Sequence, residues 1–82
     1  MMRVPVTFWS YFADLAGTPS AEFDMAEGAT VDDLLRQVHA VHPRLAGTRN
    51  STLVAVGVEY QGGSYRLQPG DSVSLFPPVQ GG

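Results

Sequence analysis

Apolar and polar positions alternate from Arg3 to Trp9: Val4, Val6 and Phe8 share one face, and Pro5, Thr7 and Trp9 share the other. Alternation of this period among β-branched and aromatic residues predicts a strand. Pro5 has no backbone N–H, so pairing near the start of the strand is expected to be incomplete. Tyr11 to Ala16 fits a short helical turn closed by Gly17 as a left-handed cap. After a Thr18-Pro19-Ser20 loop, Ala21 to Met25 alternates again, with Phe23 and Met25 on one side and Glu22 and Asp24 on the other. This spacing suits an antiparallel partner for the first strand.

A change of period marks the next element. Val31, Leu34, Leu35, Val38 and Val41 recur at helical spacing and form one apolar stripe. Thr30 is placed to cap this helix, with Asp33 in the capping-box position, and Asp32 and Asp33 favour the positive end of the helix dipole. Pro43 ends the helix, because the residue before a proline is driven out of the α region. The stripe is expected to cover one face of a sheet.

Arg44 to Thr52 reads as a polar connector whose Leu45 tucks under the domain. Leu53 to Val56 predicts a strand, broken at Gly57, and Val58-Glu59-Tyr60 resumes extended structure before Gly62-Gly63. Gln68-Pro69-Gly70-Asp71 is a turn signal with Pro and Gly in the order a β-turn requires. Ser72 to Phe76 is the last strand, with Val73 and Leu75 inward and Ser72, Ser74 and Phe76 outward. Two N-terminal strands, one helix across a sheet and a C-terminal strand pair make an α+β layered domain over residues 1–76. An extended tail at 77–82 follows it.

Composition narrows the function. Eighty-two residues, 44% hydrophobic and 16% charged, form one globular domain. The absence of cysteine excludes disulfides, a thiolate nucleophile and Cys-ligated zinc. A net charge of −3 argues against a nucleic-acid surface. Neither a signal peptide nor a membrane-length apolar run is present, so a cytoplasmic location is the default expectation. Every basic side chain is Arg (Arg3, Arg36, Arg44, Arg49 and Arg66), so no lysine competes for an activated carboxyl terminus.

Candidate catalytic groups in the interior lack their partners. His39 and His42 are spaced for one metal but have no third ligand, and read better as a solvated helix end. Asp32 and Asp33 serve as helix caps rather than an acid–base pair. Gly62-Gly63 lacks the strand–loop–helix context and the lysine of a phosphate loop. Ser10, Ser51 and Ser64 have no His–Asp arrangement.

The candidate site is therefore the tail, Phe76-Pro77-Pro78-Val79-Gln80-Gly81-Gly82. Pro77 and Pro78 stiffen the exit from the last strand. Gly81 and Gly82 lack Cβ atoms and suit a narrow channel in which a partner acts on the Gly82 carboxylate. A frayed tail and an engineering scar are the plainer alternatives. Phe76 and Trp9 point outward and suit a partner surface, while for Trp9 the alternative is cover by a loop or by the C-terminal stalk.

Leu67-Gln68-Pro69-Gly70-Asp71-Ser72-Val73-Ser74-Leu75-Phe76-Pro77-Pro78-Val79-Gln80-Gly81-Gly82 resembles the C-terminal signature of the molybdopterin synthase small-subunit family of ubiquitin-like sulfur carriers. Phe8 to Gly17 resembles that family's first strand and following turn. The Val56-Gly57-Val58 segment departs from it where relatives carry Val-Asn-Gly. The resemblance implies a β-grasp fold: a mixed sheet of four to five strands with one main helix packed across one face. It also implies that Gly82 is adenylated by a ubiquitin-activating-type enzyme using ATP and converted to a thiocarboxylate by a persulfide sulfurtransferase. The tail then enters the synthase large subunit, and the sulfur passes to cyclic pyranopterin monophosphate. Gly81 supplies clearance, and Pro77, Pro78, Val79 and Gln80 guide the tail. On this reading the chain is a carrier, catalytic only as part of the synthase. No tightly bound cofactor, metal, nucleic acid or membrane is implied. A sulfur carrier for thiazole, cysteine or tRNA thiolation, a protein modifier, and an inert interaction module remain open as alternatives.

Overall fold

The structure is a computed structural model that describes residues 1–78, the Arg49 side chain excepted. Strands β1 (Met2–Phe8), β2 (Ser20–Met25), β3 (Leu53–Val56), β4 (Glu59–Tyr60) and β5 (Val73–Phe76) form one sheet in the order β2-β1-β5-β3-β4. β1 and β5 are parallel, and the other neighbours are antiparallel. Helix α1 (Tyr11–Ala16) closes on Gly17, whose φ of 77° is the left-handed cap the sequence predicts. Helix α2 (Val31–Val41) supplies the cover for one face of the sheet.

β1 begins one residue earlier than its alternation suggested, because buried Met2 extends the inward series Val4, Val6 and Phe8. Pro5 sits where its missing donor matters least. The Phe8 N–H reaches toward β2, donating to the Pro19 carbonyl (2.9 Å), and the Trp9 N–H reaches toward β5, donating to Leu75 (3.1 Å). Alternate N–H groups of a strand face opposite neighbours, so the gap at Pro5 faces β5. That ladder begins only at Val6↔Val73, while pairing with β2 continues through Pro5↔Glu22.

The start of α2 leaves no orphan donor. The Val31 N–H donates to Tyr65 O (3.0 Å) and the Asp32 N–H to Gly63 O (2.9 Å). The Asp33 N–H donates to Thr30 Oγ1 (3.2 Å), and the Thr30 N–H to Asp33 Oδ2 (3.0 Å), completing the capping box. These bonds satisfy groups that would otherwise face solvent or a ligand, so Gly62-Gly63 acts as a clip over the helix start. Val31, Leu34, Leu35 and Val38 enter the core with Val4, Val6, Phe8, Val73 and Leu75.

Three expectations need correction. Val41 leaves the stripe and is 57% exposed, because it is the last residue of α2, beyond the part that covers the sheet. The Arg44–Thr52 connector is largely a 3₁₀ segment, Pro43–Ser51, with Leu45 buried beneath it. Hydroxyls bind carbonyls along it, Thr48 to Leu45 O (2.7 Å) and Thr52 to Thr48 O (2.6 Å), which an apolar pattern does not reveal. His42 is not a solvated helix end. Its ring meets Phe8 edge-on at 5.3 Å and lies 6.2 Å from Phe23, and its Nε2 is shut off from solvent.

Candidate functional site: the aromatic groove at the root of the tail

β5 is positioned by the turn that precedes it. Gly70 has φ 90°, and the Asp71 N–H donates to Gln68 O (3.0 Å), so Gln68-Pro69-Gly70-Asp71 is a turn in which Gly70 takes the conformation unfavourable to other residues. The Asp71 carboxylate then accepts from the Gln68 N–H (2.8 Å) and from the Tyr65 hydroxyl (3.0 Å). Leu67 anchors the start of the turn in the core. The run from Leu67 to Asp71 is thus structural: it lays β5 parallel to β1, between β1 and β3, so that the chain leaves the sheet at Phe76.

Around that exit the open face of the sheet is aromatic. Trp9 follows Phe8, the register partner of Leu75, and its indole stacks on Phe76 with centroids 5.5 Å apart and planes inclined by 15°. Leu53 lies opposite Phe76 in the β3–β5 register. Tyr60, opposite Ala55, presents its ring edge to Phe76 at 6.3 Å. Together with Ser10, Pro77 and Pro78 these residues line a groove of about 290 Å³. Trp9 is 48% exposed and Tyr60 70%, an unusual concentration of aromatic surface for so small a chain.

Ser10 shapes one wall of this groove. Its φ of 57° and ψ of −140° make it the only non-glycine with positive φ among the described residues. The Phe12 N–H donates to Trp9 O (3.1 Å), closing a tight turn that swings the chain from β1 into α1 beside the indole. Such a conformation is costly for a residue with a Cβ and tends to be kept where geometry matters.

The structure therefore brings together four of the predicted site residues, Trp9, Phe76, Pro77 and Pro78. Trp9 is half exposed and shares a groove with Phe76, Pro77 and Pro78 at the base of the tail. Val79, Gln80, Gly81 and Gly82 lie outside the described residues. Leu53, Tyr60 and Ser10 are additions. Leu53 opens a uniformly apolar strand, and its outward orientation follows from register with Phe76, which the sequence pattern does not specify. Elsewhere, no group of three or more His, Asp or Glu among the described residues is gathered to hold a metal ion. Asp33 is committed to capping: the Thr30 N–H bond foremost holds its carboxyl below the usual carboxylate value, and Arg36 and Arg66 add to this. No helix among the described residues is long and apolar enough to cross a membrane.

Comparison with known proteins places this geometry in context. The model of the ThiS family matches residues 6–82. The chain is 31% identical to a molybdopterin synthase sulfur carrier subunit of Chlamydomonas reinhardtii, covering 99% of this chain and all of the relative. It is 32% identical to small archaeal modifier protein 3 of Haloferax volcanii, again over 99% of this chain and the whole relative. The crystal structure of small archaeal modifier protein 1 from the same organism superposes with a TM-score of 0.88 at 25% identity, covering 96% of this chain and all of that one. The fold is the ubiquitin-like β-grasp, with a five-stranded mixed sheet and one main helix across it.

Proposed function

Because the chain belongs to the ThiS family, we propose that it is a sulfur-carrier protein whose working group is the Gly82 carboxylate and whose pathway is molybdopterin biosynthesis. The carboxylate is ionised near neutral pH and is a poor acyl donor. A ubiquitin-activating-type enzyme joins it to the α-phosphate of ATP, releasing pyrophosphate and leaving an acyl-adenylate. The terminal sulfur of a persulfide attacks the acyl carbon and AMP departs. Thiol cleavage of the resulting acyl disulfide leaves the thiocarboxylate.

In this proposal the domain acts as the handle. The aromatic groove of Trp9, Phe76, Tyr60 and Leu53 docks on the synthase large subunit while the Val79–Gly82 tail enters its active site. Sulfur then passes to cyclic pyranopterin monophosphate, two transfers making the dithiolene. The chain itself needs only ATP consumed by its activating partner, and these steps belong in the cytoplasm. The observation that carries the reading is the placement of the groove. β5 ends against a concentrated aromatic surface, shortly before a tail without side chains on its last two residues.

The test is tandem mass spectrometry after incubation with ATP, an activating enzyme and a persulfide donor. The mass gain must localise to Gly82 and be trapped by a thiol-directed alkylating reagent, because oxidation of Met or Trp9 nearly matches it in mass. An unmodified Gly82 with several competent activating enzymes would overturn the proposal. Transfer of the sulfur to the pterin precursor then distinguishes this pathway from thiazole, cysteine and tRNA thiolation.

Similarity to a modifier protein supports a second reading, covalent attachment of Gly82 to lysines of other proteins. Isopeptide-linked conjugates in cell extract are its signature. The chain has no lysine of its own, so lysine-linked chains of this protein are excluded.

A further inference from the structure

β2 is an edge strand, and most of the backbone hydrogen-bonding groups on its outer side have no backbone partner among the described residues. The Phe8 N–H bond to Pro19 O fixes the parity of the β1–β2 ladder. Ala21, Phe23 and Met25 turn their backbone groups toward β1, whereas Ser20, Glu22 and Asp24 turn theirs outward. The Ser20 carbonyl is bound by the Thr18 hydroxyl at 2.9 Å. The N–H and C=O of Glu22 and Asp24 have no backbone partner among the described residues. The far edge of the sheet is protected differently, by a β4 of only two residues.

The side chains beside this edge are acidic. Glu22 and Asp24 are exposed, and both lean on Arg3, at 3.6 Å and 3.2 Å, so one cation serves two carboxylates. On the helix side, a groove of about 490 Å³ opens at the end of β2, bordered by Asp24, Met25, Glu27, Asp33 and Gln37. A second copy of this chain pairing antiparallel through β2 would bring Glu22 and Asp24 of each copy together, and like charges on facing strands repel. The edge is guarded against itself.

We propose that β2 is a docking edge for an extended basic peptide segment of a partner protein, added as a sixth strand. Backbone bonds form at Glu22 and Asp24. Alternate Lys or Arg side chains reach Glu22 and Asp24 on the open face, and the others lie toward Met25 and Gln37 in the groove. This is strand addition, in which main-chain bonds supply affinity and alternate side chains supply selectivity. Glu22 and Asp24 pair with Pro5 and Arg3 toward the start of β1, whereas the aromatic groove lies past the other end of that strand at Trp9, so the segment and a partner at the groove bind simultaneously.

The experiment uses the full chain, labelled for NMR, titrated with acetyl-Arg-Val-Arg-Val-Arg-amide and with the peptide in which Glu replaces each Arg. The basic peptide is expected to shift the Glu22 and Asp24 amides saturably and slow their hydrogen exchange, while the acidic one does neither. Glu22→Pro removes an outward N–H together with the Glu22 carboxylate without touching the β1 ladder, and should weaken binding by more than the roughly fivefold of one hydrogen bond. The double charge reversal Glu22→Arg with Asp24→Arg should transfer the preference to the acidic peptide. Equal responses to both peptides, shifts that avoid β2, or a preference unmoved by the reversal would overturn the proposal. Because neither variant touches the tail, ATP-dependent modification of Gly82 reports separately on the carrier reading.

Discussion

The Trp9 indole and the Phe76 ring stack at 5.5 Å although they come from the ends of two different strands. The parallel pairing of β1 with β5 makes this possible, since Phe8↔Leu75 places the next residue of each strand side by side on the open face. The stack is therefore a product of topology, and it gives the tail a rigid base.

Loss of either ring is expected to weaken docking much more than folding. Trp9→Ala and Phe76→Ala should each reduce affinity for the proposed partner, the synthase large subunit, about thirtyfold or more, the scale of an interface residue contributing about 2 kcal/mol. Thermal unfolding should move by only a few degrees, because Trp9 is half exposed. Calorimetric titration of each variant, alongside its melting curve, measures both. A change in melting without a change in affinity would remove these residues from the interface.

Ser10 makes the opposite prediction. At φ 57° and ψ −140° a Cβ is strained, and a glycine relieves it. Ser10→Gly should stabilise the domain by roughly 1 kcal/mol after allowance for the greater freedom of the unfolded chain. Ser10→Ala, which keeps the Cβ, should not. Urea midpoints of the two variants decide it.

Much of this architecture is legible without coordinates, and what escapes has a physical cause. The alternation of Val4, Val6 and Phe8 and the stripe Val31, Leu34, Leu35 and Val38 each name a buried face, and both enter the core. The capping box at Thr30 and Asp33 is readable because it depends on neighbours in sequence. The 3₁₀ segment Pro43–Ser51 is not, since among its described side chains only Leu45 is buried and its side-chain bonds run from hydroxyls to carbonyls. His42 escapes because its partners Phe8 and Phe23 are distant in sequence. Of the groove, Trp9, Phe76, Pro77 and Pro78 are legible in the sequence as outward aromatics and a stiffened exit. Tyr60 and Leu53 required the register of β3 against β5 and β4.

The end of α2 offers a paired test of where the core stops. Leu34 is completely buried, and Leu34→Ala should cost about 2–5 kcal/mol, enough to lower the melting temperature by ten degrees or more. Val41→Ala, at the exposed end of the same stripe, should stay within about 0.5 kcal/mol. Chemical denaturation of the two variants in parallel gives the comparison. Equal losses would place Val41 back in the core.

Acid should weaken the domain partly through Asp33. Its carboxylate accepts the Thr30 N–H, which lowers its pKa in the folded chain. A lowered folded value means that this contribution is complete above the ordinary carboxylate value and is lost as pH falls through the folded one. Asp33→Asn should therefore be less stable than the parent at neutral pH, with the difference shrinking as the solution is acidified below about pH 4. Melting curves of both proteins across that range test the sign.

At alkaline pH the corresponding group is Tyr65. Its hydroxyl donates to Asp71 Oδ2 at 3.0 Å, and the Asp71 bond foremost, with burial and the charges of Asp71 and Glu59, raises the phenol above its ordinary value. The contribution is complete below about pH 10 and disappears as pH rises through the folded value, because ionised Tyr65 has no proton to donate and faces a carboxylate. The same carboxylate binds the Gln68 N–H in the turn that launches β5, so the alkaline transition should be felt at the root of the tail. Tyr65→Phe should remove a raised step from the phenolate absorbance titration and flatten the loss of stability above pH 10. If the variant keeps both, the Tyr65–Asp71 bond does not hold the turn in solution.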